Sequence, residues 1–318
     1  SKTPGTYANG LRVAIIDAKA DQVLTVSGIS TVGLGITQSA AGRIVAGAAG
    51  TSVLDGYIKG IVTEVGTGTI SVKTLAHVST AGTVTNVNYQ NGGVYNFATG
   101  NISASAAGTN VGGTAQSVTA AVDWFEQQNI VLTQTDTNGN PLKLEWDALA
   151  DRPSTSTYVA ARGGRFDELH VVVIDDKGTI TGNAGTILEK HLNLSKAKDA
   201  EYSVGSTSYW RKYLATNSKY IYGGSAPGIT TSAFVSGTAT AIGNLDADSG
   251  WDQDGGEVNF GLSGVVTSSL AGGTNYGDKT DYTTSGALTS GVDDLITGYG
   301  LFENKEEIEV DFILMGAA

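Results

Sequence analysis

The 318-residue sequence has no cysteine, one methionine, four prolines and three histidines. The missing thiols exclude disulfide scaffolds and thiolate metal sites, and they leave the redox compartment open. No apolar run approaches the roughly 18 residues of a membrane-spanning helix, and the net charge of −12 argues against an anionic membrane as partner. The opening Ser1-Lys2-Thr3-Pro4-Gly5 shows no signal peptide, and there is no initiator methionine, as expected of a processed or excised piece. Only 16% of residues are charged, with 19 Lys and Arg against 31 Asp and Glu. The net charge of −12 argues against nucleic acid, because phosphate binding needs concentrated cations. The acidity is diffuse and suits a soluble surface.

Chemistry-bearing patterns are equally scarce. His77, His170 and His191 stand far apart, with no His-x-x-x-His spacing, and read as ordinary structural histidines. No Gly-x-Ser-x-Gly elbow occurs. The stretch from Gly272 to Thr280 is similar to a phosphate loop, but Asp278 separates Gly277 from Lys279 and puts a carboxylate where phosphate would sit. Asp246, Asp248, Asp252 and Asp254 alternate in a Gly-rich loop that could hold calcium. The spacing departs from the twelve-residue calcium loop and the closing Glu is missing, which favours a solvated acidic loop. Asp175-Asp176 before Lys177-Gly178 reads as turn chemistry. The sequence therefore nominates no catalytic, cofactor-binding or metal residue, implies no cofactor, and does not read as an enzyme.

What is abundant is glycine, 44 residues, mixed with Thr, Ser, Ala and Val. That mixture suits short strands joined by many turns. The expected class is α+β and β-rich: a mixed β-sheet core with few helices, plus inserted all-β domains. Leu11 to Ile16 reads as a buried strand, and Asp21 to Val26 as a continuation of the same sheet. Charge almost vanishes over 27–120, where Arg43–Val45, Tyr57–Val65, Thr69–Leu75, Thr83–Tyr89 and Val94–Phe97 are strand candidates between glycine turns. This region reads as an inserted small β domain, or alternatively as a low-complexity linker. Asn129–Thr133 and Pro141–Trp146 flank an Asn-Gly turn as a strand pair. Ala148 to Gly164 reads as loop with room for one short helix. Thr186 to Ser195 fits either a helical face or a strand by periodicity. Tyr209, Trp210, Tyr213 and Leu214 fall on one helical face, with caps at Ser206 to Ser208 and a stop at Asn217. Residues 226–290 read as a Gly/Ser/Thr-rich surface insertion, and Leu301 to Met315 as a terminal strand.

Two stretches resemble the contractile tail sheath protein of myophages. The first is Thr3-Pro4-Gly5-Thr6-Tyr7-Ala8-Asn9-Gly10-Leu11-Arg12-Val13, similar to the family's Pro-Gly-Thr-aromatic-Gly-Asn-x-Leu-x-Val element, with Ala8 where glycine is usual. The second is Asp167 to Tyr222, above all Glu189 to Ser195, the Trp210-Arg211-Lys212-Tyr213 helix, and Asn217-Ser218-Lys219-Tyr220-Ile221. Ala150-Asp151-Arg152-Pro153 and Arg162-Gly163-Gly164 look most like the T4-type members. Together the matches cover about a third of the chain.

The resemblance implies that Thr186 to Ser195 is a strand. It also implies a sheath body made of 1–26, 121–225 and 291–318, with the other regions inserted and facing outward. The chain would be the centre of a longer subunit, without the N- and C-terminal segments that assemble the lattice, and monomeric by itself. The whole subunit would polymerise as hexameric rings around the tail tube and contract to drive it through the host envelope. Its implied partners are other sheath subunits, the tail tube protein, the baseplate and the tail terminator, in a virion assembled in the host cytoplasm. The glycine- and threonine-rich strands alone would also fit a β-rich surface adhesin or carbohydrate-binding module, and a second alternative is a glycan-degrading enzyme, for which no pair of carboxylates stands out.

Overall fold

The computed structural model describes residues 1–2, 6–47, 50–87, 92–105, 115–223 and 251–273. It divides into two compact units: Ser1–Lys2 with Gly10–Leu270, and Thr3–Asn9 with Ala271–Ala318. In the second unit, Asn9 and Gly273 exchange reciprocal hydrogen bonds of 2.7 and 2.8 Å. The expected terminal strand from Leu301 to Met315 lies outside the described residues, as does most of the 226–290 region.

In chain order, the first unit opens with β1 (Leu11–Asp17), β2 (Gln22–Thr25), β3 (Gly35–Ser39) and a small hairpin, β4 (Ile44–Gly47) and β5 (Gly50–Val53). Then come β6 (Tyr57–Gly66), β7 (Thr69–Val78), β8 (Val84–Asn86), β9 (Gly100–Ser105), β10 (Ala115–Val118) and β11 (Ala120–Asp123). A second hairpin, β12 (Asn129–Thr135) and β13 (Pro141–Glu145), leads into short helices α1 (Trp146–Leu149) and α2 (Thr157–Ala160). The remainder is β14 (Glu168–Asp175), β15 (Thr186–Ser195), the pair β16 (Glu201–Ser203) and β17 (Ser206–Thr207), helix α3 (Trp210–Asn217) and β18 (Val265–Ser269). Strands hold 44% of the structure against 12% for helices, so the β-rich α+β class is observed.

Two sheets organise this unit. The larger has eight strands in the order β10-β9-β3-β6-β7-β2-β11, with β8 added beside β7. Buried residues alternate along β6, where Ile58, Gly60 and Val62 point inward, as a pleat with one covered face demands. Ile58 and Val62 join Leu24, Ile36, Ile70, Val72, Phe97 and Ile102 in one core. The β6–β7 hairpin turns at Thr67-Gly68, with Gly68 at φ 71°.

The smaller sheet runs β15-β14-β1-β18, antiparallel throughout. Its central strands are apolar on both sides because both faces are used. Ala14, Ile16, Val172 and Ile174 pack with Trp124, Ile130 and Trp146. On the other face, Val13, Ile15, Val171 and Val266 line an apolar groove with Trp210 and Leu214.

The structure changes three expectations drawn from the sequence and settles a fourth. The segment from Asp21 to Val26 does not extend the sheet of β1. It pairs with β7 and β11 in the larger sheet. Asp21 fixes this choice, since its backbone N–H donates to Val72 O while its carboxylate takes Lys73 Nζ and the Thr74 N–H, each at 2.8 Å. Val94–Phe97 forms no strand; a 3-10 turn covers Gly92–Tyr95. Two glutamines replace the missing ladder there. Gln22 bonds both the N–H and the carbonyl of Phe97, and Gln38 does the same at Ala98, with distances of 2.7–2.9 Å. Each buried side-chain amide imitates a neighbouring strand's peptide. Helix α3 has Tyr209 as its N-cap residue without a side-chain cap bond; Ser206 and Thr207 lie in β17, and the Thr207 hydroxyl accepts the Tyr209 N–H at 3.2 Å. Of its expected apolar face, Trp210 and Leu214 are buried, while Tyr213 packs edge-on against His191 and Tyr202. Finally, the ambiguous Thr186 to Ser195 is a strand along its whole length.

Gly56 shows how tightly the larger sheet closes. It sits at φ +64°, and an added Cβ would lie 2.0 Å from the Val78 carbonyl oxygen. Gly56→Ala is therefore expected to cost on the order of 1–3 kcal/mol, from a left-handed non-glycine residue together with the clash. Urea unfolding of both proteins would measure it, and an unchanged midpoint would contradict the steric account.

Candidate functional site

In the first unit, one group of buried polar side chains gathers where β1 and β15 end. Asp17 ends the apolar strand β1 and is fully buried opposite the equally buried Lys196, which follows β15. Lys196 Nζ donates to Asp17 Oδ2 at 2.8 Å, to Phe166 O at 3.1 Å and to Gly261 O at 2.8 Å, which uses the three donors of an ammonium. Asp17 also accepts the backbone N–H groups of Ser263 and Gly264, each at 2.7 Å. Burial lowers the Lys196 pKa, and the facing Asp17 carboxylate opposes that shift. Next to this pair, the buried Asp167 accepts the Ser156 N–H and hydroxyl, each at 2.8 Å, and the Ser195 hydroxyl. Every one of these bonds ties one chain segment to another.

Beside that braced region opens a cleft of about 720 Å³. One wall carries Asp21, Lys73 and Thr74 of the larger sheet's side; the other carries the loop from Asp151 to Thr157, with Glu168, Glu201, Tyr202 and Ser208. The two cations are occupied. Lys73 is 2.8 Å from Asp21, and Arg152 pairs with Asp123, bonds Asp21 O at 3.2 Å and lies over the Phe125 ring.

Among the described residues Glu168 has no such ionic partner. Its carboxylate accepts the Ser154 N–H at 2.9 Å. Burial pushes its pKa up to about 7; the Ser154 bond opposes this and the adjacent Asp167 charge adds to it. A carboxyl that holds its proton more tightly when folded contributes most below the ordinary value of about 4.5 and loses that contribution as pH rises through 7. Glu168→Gln should therefore gain stability relative to the parent as pH rises from 5 to 8. Denaturant midpoints at several pH values would test this, and parallel curves would refute it.

The residues singled out from the sequence fall elsewhere or prove structural. His77 Nε2 bonds Asp55 O at 2.7 Å, and its ring stacks on Tyr95. His170 Nε2 bonds Asp151 O at 2.6 Å while its Nδ1 accepts the Asn193 N–H, and burial lowers its pKa. His191 bonds Glu189 at 2.9 Å. Of the alternating aspartates, Asp252 accepts from Tyr209 and Trp210 and pairs with Arg211 at 2.7 Å, while Asp254 faces Lys198 at 3.5 Å. Asp246 and Asp248 lie outside the described residues. Among the described residues no group of three or more His, Asp or Glu could hold a metal ion. The Asp176 carboxylate does more than form a turn: it receives Arg12 Nε and Nη2 at 2.9 and 2.7 Å and the Thr133 N–H, joining β1 to the β12–β13 hairpin.

Sequence reading missed Asp17, Lys196 and the whole cleft. One usable signal was present, a carboxylate closing the apolar run Leu11-Arg-Val-Ala-Ile-Ile-Asp17. A charge there must find a counterion if the strand is central. Comparison with protein-family models, with curated proteins and with solved structures found no match to the chain.

Proposed function

We propose that this chain is the body of a contractile tail sheath subunit, a structural part with no reaction of its own. The sequence resemblance at Thr3 to Val13 and Asp167 to Tyr222 is the starting point. The observation that carries the reading is the use made of buried charge. Lys196–Asp17 and Arg12–Asp176 join segments 179 and 164 residues apart, and neither pair lines the cleft as a reactive group would. Such braces suit a block that must move as one piece, since sheath contraction would be a rigid-body rearrangement between bistable interfaces. In this reading the partners are other sheath subunits and the tail tube, with baseplate and tail terminator at the ends, all within a virion.

Electron microscopy of the full-length parent expressed alone tests the proposal. Long hollow tubes or short contracted cylinders are expected. A monodisperse monomer that binds glycans would overturn it in favour of a β-rich adhesin or carbohydrate-binding module, and one that hydrolyses them in favour of a glycan-degrading enzyme. The polar cleft beside Tyr202 is the feature that favours that second reading.

A further inference from the structure

We propose that the cleft between Lys73 and Tyr202 binds an organic cation carrying a guanidinium or primary ammonium group. The inference does not depend on the sheath reading. The cleft's volume of about 720 Å³ lies in the range of small-ligand sites. Its own cations are neutralised by Asp21 and Asp123. Asp151, Glu168 and Glu201 also line it, and among the described residues none of the three lies within 4.0 Å of a Lys, Arg or His nitrogen. The surplus is negative, and low-dielectric walls focus such a field onto an entering cation.

A second observation points to a ligand. Thr74 and Ser208, 2% and 3% exposed, line the same cleft, and their hydroxyl oxygens have no hydrogen-bond partner among the described residues. Buried hydroxyls are rarely left unpaired, and a donor-rich guanidinium or ammonium supplies what both lack. Half-exposed Tyr202 adds a ring face to the lining, close enough to Glu168 for that carboxylate to raise its phenol pKa, after burial and Tyr213. A metal ion is the wrong class, since among the described residues no three acidic groups converge.

Titration of the whole chain with agmatine, followed by amide NMR shifts of Thr74, Ser154 and Ser208, tests the site. Saturable shifts are expected, with affinity rising from pH 6 to 8 as Glu168 ionises. The charged and titratable groups that line the cleft with Glu168 or adjoin it are Asp151, Arg152, Asp167, Glu201, Tyr202 and Lys73, and of these Asp167 raises the Glu168 pKa further. Glu168→Gln should weaken binding by about tenfold or more, and Ser208→Ala by less. A Gly-Arg-Gly amide tripeptide separates the sources. Binding of the tripeptide but not agmatine assigns the site to a side chain of another protein, and agmatine binding to a free small cation. Absence of saturable shifts with both probes overturns the proposal. So does equal affinity in the parent and both variants, their folds being checked by the dispersion of the same spectra.

Discussion

Asp17→Ala should lower the stability of the first unit by about 3–5 kcal/mol, the usual cost of stripping one partner from a buried ion pair. Both partners are 0% exposed, so bulk solvent does not reach the ammonium that the truncation would strand. Lys196 would keep only the carbonyls of Phe166 and Gly261 and the Trp251 ring 4.8 Å away. The Ser263 and Gly264 N–H groups would lose their acceptor at the same time. The defect should shrink as pH rises. Burial already lowers the Lys196 pKa, and without Asp17 that shift deepens. A lysine whose folded pKa is depressed binds fewer protons folded than unfolded, so the variant regains stability between its folded pKa and the ordinary value of 10.5.

The double variant Asp17→Leu with Lys196→Met should recover part of the loss, because it removes the stranded charge, while the Ser263 and Gly264 N–H groups stay without their acceptor. Lys198–Asp254 supplies the contrast. At 3.5 Å with side chains 53% and 67% exposed, its removal should change stability by less than about 1 kcal/mol. Guanidinium chloride midpoints at pH 7 and 9 would decide the matter. Equal losses for the two pairs would refute the assigned role of Asp17.

Trp146→Ala is expected to cost a further independent amount of about 3–5 kcal/mol. Trp146 is 0% exposed and begins α1, just after the β12–β13 hairpin. Its ring fills the space between that hairpin and the face of the smaller sheet presented by Ala14, Ile16, Val172 and Ile174. Truncation leaves a cavity lined from several elements, which can collapse only by moving the hairpin as a whole. Its Nε1 has no hydrogen-bond partner among the described residues, so the stabilisation is packing. Trp146→Phe should accordingly lose much less than Trp146→Ala. Thermal melts followed by circular dichroism, which do not depend on the deleted chromophore, would measure both. A phenylalanine variant as weak as alanine would show that the indole nitrogen matters after all.

The sequence by itself determined much of where the chain runs extended and where it turns, Val94–Phe97 and Thr186–Ser195 being exceptions. The β6 and β7 strands, the β12–β13 hairpin and α3 were legible because alternation, glycine turns and helical spacing are properties of neighbouring residues. The resemblance, rather than periodicity, made Thr186 to Ser195 a strand. Only the tertiary structure decided which strand pairs with which. Asp21 draws β2 into the larger sheet through Lys73 and Thr74, about fifty residues on, and Gln22 captures Phe97 from 75 residues away. The candidate site belongs to the same category. Glu168, Tyr202, Thr74 and Lys73 form no motif, because they come from strands and loops that become neighbours only when both sheets have formed. The physical reason is one of range. Backbone propensity and pleat are settled within a few residues, whereas the counterion of Lys196 lies 179 residues away and is selected by the burial that folding imposes on both charges.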